Sequence, residues 1–286
     1  MKNILVIGGA GYIGSHLIET LIIQNKGRIF SLDNYSSGTK NNHFKGCKYI
    51  EGEAADISQL VTEKIDLVFH LGEYSRVERS FEDIKKVWDR NVCSFLPVLE
   101  FCKSNNAKII YSGSSTKFSL GENGKDMSPY AWAKSSNTDF LKNYAQWFDL
   151  DYVITYFYNT YGGRENRIGS FATVIGIFCD QYEMKLPLTV VSPGTQKRNF
   201  THINDIISAL ILTSEKGSGD DYGIGSDDRY SIVEVAKMFG DNIKMIPQRL
   251  GNREDSKLMT EKTKKLGWTC EHKLTDYIDK FKRSIL

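Results

Sequence analysis

NILVIGGAGYIGSHLIETLIIQ, residues 3–24, is the stretch that decides the fold of this 286-residue chain. Its first five residues, Asn3–Ile7, form a short apolar run that is typical of a buried strand. The segment Tyr12–Gln24 repeats apolar residues at helical spacing, and a glycine-rich turn separates it from the strand. A strand, a tight turn and a helix in this order predict a β-α-β unit in a parallel sheet.

The turn carries three glycines, Gly8, Gly11 and Gly14, each with its own physical use. Gly8 permits the tight turn, Gly11 lets the backbone approach a pyrophosphate, and Gly14 allows the helix to pack closely on the strand. The N–H groups and the dipole at this helix N-terminus favour an anionic phosphate. Close packing alone is the alternative explanation for the glycines.

Asp33 strengthens the phosphate-binding interpretation because it ends the second predicted strand, 19 residues after Gly14. A carboxylate at that place accepts hydrogen bonds from both ribose hydroxyls of an adenosine and repels a 2′-phosphate. The sequence therefore predicts NAD, rather than NADP, as the cofactor. The alternative is that Asp33 is a solvated loop residue.

Composition and charge exclude several classes of protein. The chain has 37 Lys and Arg against 35 Asp and Glu, a net charge of +2, and 41% of its residues are hydrophobic. These values exclude a disordered chain and give no basic footprint for nucleic acid. Five cysteines without a C-x-x-C pair predict reduced thiols, no metal site among them and a cytoplasmic location. No apolar stretch approaches the roughly 18 residues of a membrane helix.

The order of the predicted elements divides the chain into two parts. From residue 1 to 161 short apolar runs alternate with helical patterns, which predicts an α/β fold with a doubly wound, Rossmann-type parallel sheet. From 162 to 286 the elements are shorter, which predicts a smaller α/β lobe that binds the substrate. The predicted strands are Asn3–Ile7, Arg28–Leu32, Lys48–Ile50, Leu67–His70, Lys108–Ser112, Tyr152–Phe157, Leu188–Val191 and Ile243–Ile246. The predicted helices are Tyr12–Gln24, Phe81–Lys103, Tyr130–Phe148, Phe171–Tyr182, Asn204–Ser214, Ser231–Gly240 and Lys273–Ile285.

Two further segments follow predicted strands of the first part. Asp56 and Ile57 come after the third strand, where they either contact the adenine edge or begin a helix, with Asp56 as its N-cap. His70-Leu71-Gly72 ends the fourth strand, where ligands gather in open α/β sheets. We interpret His70 as a packed strand-end residue rather than a catalytic one.

Tyr130 and Lys134 stand four residues apart at the start of a predicted helix, so they lie on one face of it. The lysine ammonium, together with the positive charge of an oxidised nicotinamide, stabilises the phenolate, so that Tyr130 can act as a base near neutral pH. Ser114 lies beside the end of the fifth predicted strand and can relay the proton or orient the substrate oxygen. A chance surface pair is the alternative for Tyr130 and Lys134.

Motifs along nearly the whole chain resemble those of the extended short-chain dehydrogenases/reductases. Within that superfamily the chain is most similar to the NAD-dependent nucleotide-sugar epimerase/dehydratase family, to which UDP-glucose 4-epimerase belongs. The motifs are GGAGYIGSH (8–16), LDNYSSG (32–38), FHLG (69–72), YSGSS (111–115), SPYAWAK (128–134), NTYG (159–162), GTQKRNFTHINDI (194–206) and RLGNRE (249–254).

The resemblance implies roles for particular residues, with Ser114, Tyr130 and Lys134 as the catalytic group. The implied cofactor-binding residues are Gly8, Gly11, Tyr12, Ile13, Gly14, Asp33, Asn34, Asp56, Ile57, Leu71, Gly72, Asn91, Ser112, Tyr130, Lys134 and Tyr156. The implied substrate-binding residues are Ser114, Ser115, Tyr130, Asn159, Arg198 and Arg249. The two arginines would bind the diphosphate or nucleoside, and surface ion pairing is their alternative.

Departures from the family pattern narrow the reaction. The 4,6-dehydratases usually carry an Asp-Glu pair directly after the position of Ser114, and the sugar-acid decarboxylases carry a glutamate two places after it. This chain has Ser115 and Thr116 there. The sequence therefore favours epimerisation at C4 of a UDP-hexose or UDP-N-acetylhexosamine, through a transient 4-keto intermediate. A nucleotide-sugar 4-dehydrogenase or 4-keto reductase is the alternative, and a non-catalytic dinucleotide-binding protein is a third.

Other departures concern the fit of the sugar. Phe118 and Ser119 replace a tyrosine and a glycine of the family, and Tyr156 replaces an arginine, which leaves the orientation of the sugar open. Ser256 matches a position beside the 2-substituent, where a small side chain leaves space for an N-acetyl group.

The resemblance also implies a homodimer, because many relatives associate through a four-helix bundle. The two predicted helices Phe81–Lys103 and Tyr130–Phe148 would supply it. Their aromatic residues Phe95, Phe101, Phe140 and Trp147 fit either a shared face or core packing. We expect a nucleotide sugar, most simply a UDP-sugar, as the ligand and neither nucleic acid nor a membrane as a partner.

Overall fold

The computed structural model describes residues 1–118, 126–248 and 257–285. The strands of the larger sheet are β1 (Asn3–Ile7), β2 (Arg28–Asp33), β3 (Cys47–Glu51), β4 (Leu67–His70), β5 (Lys108–Ser114), β6 (Tyr152–Phe157) and β11 (Gly219–Ile224). Three two-stranded sheets are formed by β7 (Thr160–Tyr161) with β10 (Thr201–His202), β8 (Leu188–Val191) with β13 (Ile243–Ile246), and β9 (Lys197–Asn199) with β12 (Arg229–Ser231).

The α-helices connect and cover these sheets. They are α1 (Tyr12–Ile23), α2 (Ile57–Leu60), α3 (Ile84–Val87), α4 (Phe95–Asn105), α5 (Pro129–Phe148), α6 (Val174–Glu183), α7 (Ile203–Lys216), α8 (Ile232–Phe239), α9 (Glu261–Lys265) and α10 (Leu274–Ile285). No helix in the described part of the chain is long and apolar enough to cross a lipid bilayer.

The larger sheet has seven strands in the order β11-β6-β5-β4-β1-β2-β3, and all its neighbours pair in parallel. The strand order reverses between β1 and β4, which is the switch point where ligands bind in doubly wound sheets. This topology confirms the predicted fold class, an α/β fold with a Rossmann-type sheet and a smaller lobe.

Both faces of the sheet are buried, because alternate residues of each strand point to opposite sides. On one face Leu5 and Ile7 of β1 pack in a cluster with α4 and α5. On the other face Ile4 and Val6 pack in a cluster with α1 and α7. A strand buried on both sides needs a continuous apolar run, which explains the sequence of residues 3–7.

The chain returns to this layer after entering the smaller lobe. The strand β11 pairs with β6, and α7 packs on the same face as α1. Trp268 also joins that cluster, and its indole N–H donates to the backbone oxygen of Asp205 over 3.0 Å. The predicted domain boundary between residues 161 and 162 stays a prediction. The layer of the larger sheet also contains segments that follow this boundary in the chain.

The smaller lobe has its own core and covers the carboxyl ends of the strands. Helices α6, α8 and α10 pack around the small sheets through Phe178, Phe200 and Phe239. The capping box of Ser231 and Glu234 fixes the start of α8. The two lobes enclose a cleft between them.

The prediction of one continuous helix over Phe81–Lys103 is wrong. A 3₁₀ turn at Glu78–Phe81 ends where that segment begins, and the segment then contains the short helix α3, a π-helical turn at Trp88–Cys93 and α4. Pro97 lies in the first turn of α4 and has no N–H to donate to the carbonyl of Cys93, so a regular helix cannot run through this point. The other predicted helices agree with the structure within about three residues at each end.

Candidate active site

A cavity of about 640 Å³ lies at the carboxyl ends of the parallel strands, between the two lobes. It extends from the glycine turn after β1 to α5 and to the β9 strand of the smaller lobe. The predicted site residues that line it are Gly8, Gly11, Tyr12, Ile13, Gly14, Asp33, Asn34, Leu71, Gly72, Ser112, Tyr130, Lys134, Asn159 and Arg198.

The glycine turn has the close backbone approaches that its sequence predicts. Gly8 adopts a φ of +82°, and a Cβ atom there would lie 2.6 Å from the Cα of Gly72. A Cβ at Gly14 would lie 2.2 Å from the carbonyl oxygen of Gly8. Larger side chains therefore cannot occupy these positions without moving the backbone. The turn leaves the N-terminus of α1 open toward the cavity.

Asp33 ends β2 and is held beside the glycine turn. Its Oδ2 accepts a hydrogen bond of 2.9 Å from the Ala10 N–H, and its Oδ1 accepts one of 2.8 Å from the Tyr35 N–H. Burial raises the pKa of the Asp33 carboxyl, and the hydrogen bonds from Tyr35 and Ala10 oppose that shift. The carboxylate is thus fixed in place in the cavity wall beside the glycine turn.

Tyr130 and Lys134 lie on the first two turns of α5, and both line the cavity. The helix begins here because Ser128 caps it, accepting a hydrogen bond of 3.1 Å from the Ala131 N–H, and Pro129 occupies its first position. The cap places the two side chains on the helix face that looks onto the ends of β4 and β5.

Lys134 forms a buried ion pair with Glu73, a residue that the sequence analysis did not consider. The Lys134 ammonium also donates 2.5 Å to the backbone oxygen of Ser112. The Glu73 carboxylate accepts further hydrogen bonds from the Tyr111 hydroxyl at 3.1 Å and from the Asn137 amide at 2.9 Å. Glu73 directly follows His70-Leu71-Gly72. Its place at a strand end could have identified it as a site residue from the sequence, since ligands gather at such strand ends.

His70 lies beneath this pair, fully buried and without a hydrogen-bond partner for either ring nitrogen within the described residues. Its Nε2 is 3.9 Å from Glu73, and its ring stacks on Phe95. Burial lowers the pKa of His70 to about 4, so the ring is neutral at pH 7. His70 is placed in the protein core and does not line the cavity.

Asn91 and Tyr156 also lie behind the cavity wall. Asn91 is buried in the π-helical turn and forms hydrogen bonds of 2.7 and 3.0 Å with the backbone N–H and C=O of Tyr74. Tyr156 is buried, and its hydroxyl donates 2.6 Å to Asp220. Asn91 therefore holds the loop after β4 from the side that faces away from the cavity. The roles of Asn91 and Tyr156 in cofactor binding stay predictions.

Asp56 and Ile57 are placed away from the cavity as well. Ile57 is fully buried in the cluster under the sheet, and Asp56 is exposed before α2. The cavity wall near this point is formed instead by Gly52, Glu53 and Ala54. A ligand in the cavity would therefore contact residues 52–54, which precede Asp56 and Ile57 in the chain.

Ser114 ends β5 and Ser115 begins the 3₁₀ turn after it, next to the lining residues Ser112 and Gly113, but neither serine is in the cavity wall. The Ser114 hydroxyl oxygen accepts 2.9 Å from the hydroxyl of Thr116. The predicted positions Arg249, Ser119 and Ser256 lie outside the described residues.

Asn159 and Arg198 both line the cavity, Asn159 after β6 and Arg198 in β9. Asn159 follows β6 with a φ of +27°, and its amide donates 3.0 Å to the backbone oxygen of Asn199. Arg198 is buried in β9, and its guanidinium donates 2.9 Å to the backbone oxygen of Lys197. Both therefore have fixed positions in the cavity wall opposite the glycine turn.

Comparison with known proteins agrees with this geometry. The model of the NAD dependent epimerase/dehydratase family matches residues 4–225. UDP-glucuronic acid decarboxylase 3 of Arabidopsis thaliana is 27% identical, over 96% of this chain and 86% of that protein. The human dTDP-D-glucose 4,6-dehydratase is 28% identical, over 82% of this chain and 72% of that protein.

A similar solved structure is the UDP-glucose 4-epimerase of Thermotoga maritima with UDP-glucose, at 26% identity and a TM-score of 0.89. The match covers 99% of this chain and 100% of that one. These three proteins have different reactions on nucleotide sugars, and the family model spans most of the chain. The chain therefore belongs to the NAD dependent epimerase/dehydratase family.

Proposed function

We propose that this protein is an NAD-dependent 4-epimerase of a nucleotide sugar, with a UDP-sugar as its substrate. The observation that carries the proposal is that the glycine turn, Asp33, Tyr130 and Lys134 all line one cavity. A dinucleotide site and a candidate base thus share one wall. A nucleotide sugar can enter from the side of the smaller lobe.

The residues at the glycine turn fit NAD. A Cβ would fill the space at Gly8 and Gly14, and the open N-terminus of α1 suits a pyrophosphate. Asp33 has a carboxylate fixed where the adenosine ribose would lie, which favours NAD over NADP. When bound, NAD supplies an acceptor for hydride and returns that hydride in the same turnover.

Tyr130 would remove the proton of the sugar 4-hydroxyl, since its phenol lines the cavity one helical turn before Lys134. Lys134, held by Glu73 and Ser112, would orient the cofactor ribose and stabilise the phenolate. Ser114 would orient the substrate oxygen from the end of β5. The sugar would pass through a 4-ketone and regain its hydrogen on the other face, which inverts C4.

Dehydration and decarboxylation fit this site less well than epimerisation does. The side chain of Thr116, at the place of the family's glutamate, is a hydroxyl that donates to Ser114. Glu73 is a carboxylate near the site, but it already accepts bonds from Lys134, Tyr111 and Asn137. It is therefore committed to holding the site rather than to removing a proton from the sugar.

The proposal includes a homodimer through α5 and the broken helical segment before β5. Trp88 and Trp132 are half exposed there, and their rings stack with centroids 5.8 Å apart. Ile84 and Leu96 are exposed beside them. The sequence left open whether four aromatic residues form a shared face or core. Phe95 and Phe101 are buried in the core, Phe140 packs against it, and Trp147 is exposed.

The test is to incubate the purified protein with UDP-, GDP- and CDP-sugars while product identity and absorbance at 340 nm are followed. Interconversion of C4 epimers without net formation of NADH supports the proposal. Release of one NADH for each sugar would instead identify a dehydrogenase. If NAD-loaded protein turned over none of these sugars, the result would contradict the proposal and favour a non-catalytic dinucleotide-binding protein.

A further inference from the structure

Arg76 is a cavity residue that no motif of the sequence pointed to. It lies on the loop after β4 and lines the cavity together with Tyr130. Its guanidinium donates through Nη2 to the backbone oxygen of Phe171 and lies 5.5 Å from the centroid of that ring. Phe171 therefore holds the guanidinium group from the side of the smaller lobe.

No carboxylate among the residues that the structure describes forms an ion pair with Arg76. Its Nε is buried and has no hydrogen-bond partner among these residues. Burial lowers the pKa of the Arg76 guanidinium, which is the direction expected for a cation removed from water. Arg76 is half-buried, and a partly desolvated cation without a counter-ion lowers the stability of a protein; an anionic ligand in the cavity would supply the missing partner.

The anion that would pair with Arg76 is expected near Tyr130, where the sugar of the substrate would bind. Arg76 lies close enough to Tyr130 for the two side chains to interact electrostatically. The pyrophosphate of the cofactor has its own place at the glycine turn, and Arg198 faces the cavity from β9, where the substrate diphosphate is expected. In a hexose, the groups that flank the 4-hydroxyl are the 3-hydroxyl and C6, which is attached to C5. Of these positions C6 is the one that can be a carboxylate, so an anion beside Tyr130 would be a carboxylate at C6.

We propose that Arg76 binds the C6 carboxylate of a nucleotide-linked hexuronic acid, and that such an acid, rather than a neutral hexose, is the substrate. The planar guanidinium can form two parallel hydrogen bonds with a carboxylate, as it does with few neutral groups. The assignment rests on the proposed function for the position of the sugar. It narrows the substrate to one chemical class.

The experiment measures binding apart from catalysis. NAD-loaded protein is titrated calorimetrically with UDP-glucuronic acid, UDP-glucose and UDP, and C4 epimerisation of the two sugars is followed in parallel. We expect the wild type to bind UDP-glucuronic acid more tightly than UDP-glucose. Arg76→Met should weaken binding of the acid about 10- to 100-fold more than that of UDP-glucose, the range for a hydrogen bond to a charged group.

Arg79→Met is the matched control, because Arg79 is exposed three residues away and its only described ion pair is with Glu82. It should leave all three affinities as in the wild type. Arg76→Lys should fall between wild type and Arg76→Met, since it keeps the charge and loses the paired hydrogen bonds. Unchanged thermal unfolding and NAD binding in the Arg76 variants would exclude misfolding.

Two results would overturn the assignment: equal losses for UDP-glucuronic acid and UDP-glucose, or an equal loss for UDP alone, which would place the diphosphate at Arg76. Arg76-dependent binding of UDP-glucuronic acid without epimerisation would support the assignment and count against the proposed reaction. The two proposals can therefore fail separately.

Discussion

Glu73 and Lys134 form an ion pair in the cavity wall in which both side chains are at least 95% buried. The pair joins the loop after β4 to the second turn of α5, residues that are 61 positions apart in the chain. Because Lys134 also donates to Ser112, its ammonium is held both from the loop after β4 and from β5. The cation beside the candidate base is thus fixed by tertiary contacts and not only by its helix.

Replacing Glu73 should test how strongly this pair stabilises the fold. We expect Glu73→Gln to lower the free energy of unfolding by about 3 kcal/mol, because it leaves a buried ammonium without its counter-charge. Urea denaturation would measure the change. The exposed Glu82→Gln is the control, and a loss in Glu73→Gln no larger than in that variant would mean that the pair adds no stability.

Tyr130→Phe removes the phenolic oxygen and keeps the ring. We expect turnover to fall about 10²- to 10⁴-fold, the usual contribution of a general base, while the Kd for NAD changes little. Tyr182→Phe, in the smaller lobe, provides the control. Turnover that survives in Tyr130→Phe would show that another group removes the proton.

Gly14→Ala should damage the dinucleotide site through sterics alone. The added methyl group would lie 2.2 Å from the Gly8 carbonyl oxygen, so the turn must move. We expect weaker NAD binding, measured by calorimetry, together with a lower Tm. At Gly240 the added methyl meets nothing within 4 Å, so Gly240→Ala should behave as the wild type. Equal NAD affinity in both variants would argue against this site.

The exposed tryptophans give a test of association. We expect Trp88→Glu combined with Trp132→Glu to shift the protein from dimer to monomer in light scattering, because a charge on each ring position opposes burial of that face. Met184→Glu, on the exposed surface of the smaller lobe, should not alter the mass. A wild type that is already monomeric at micromolar concentration would refute the dimer.

Glu165 should make stability depend on pH. Burial raises the pKa of Glu165 to about 7 in the folded protein, from an ordinary value near 4.5. The folded state therefore binds more protons than the unfolded state between these pH values, and stability falls as pH rises through 7. The loss is on the order of 3 kcal/mol for a shift of this size.

Glu165→Gln should remove most of that dependence. Urea denaturation of both proteins at pH 5 and pH 8 would measure it, with the exposed Glu183→Gln as the control. We expect the wild type to lose stability relative to Glu165→Gln between the two pH values. A constant difference would show that Glu165 titrates normally.

The sequence was sufficient where the signal was local or periodic. The glycine turn and Asp33 follow from spacing within one β-α-β unit, and β1, β4, β6, β8 and β13 agree with their predicted bounds. Two-sided burial of β1 could be predicted because it requires an unbroken apolar run.

Long-range contacts were beyond the sequence. The ion pair of Glu73 and Lys134 depends on two elements meeting across the sheet, and no spacing encodes that distance. The strand β11, GDDYGI, carries two aspartates and two glycines, so its pattern does not favour a strand, and pairing with β6 decides it. The break before α4 was missed because the apolar residues of 81–103 keep helical spacing on both sides of Pro97.

The repeated passage of the chain between the lobes restricts how the cleft can move. The backbone leaves the larger layer after β6, returns as α7 and β11, leaves again to form β12, and returns once more at α9. Closure about a single flexible joint would have to bend several connections together, which a packed interface resists. If the proposed epimerisation is right, the rotation that turns the opposite face of the keto sugar toward the cofactor would therefore come from torsions of the ligand, inside walls that keep their shape.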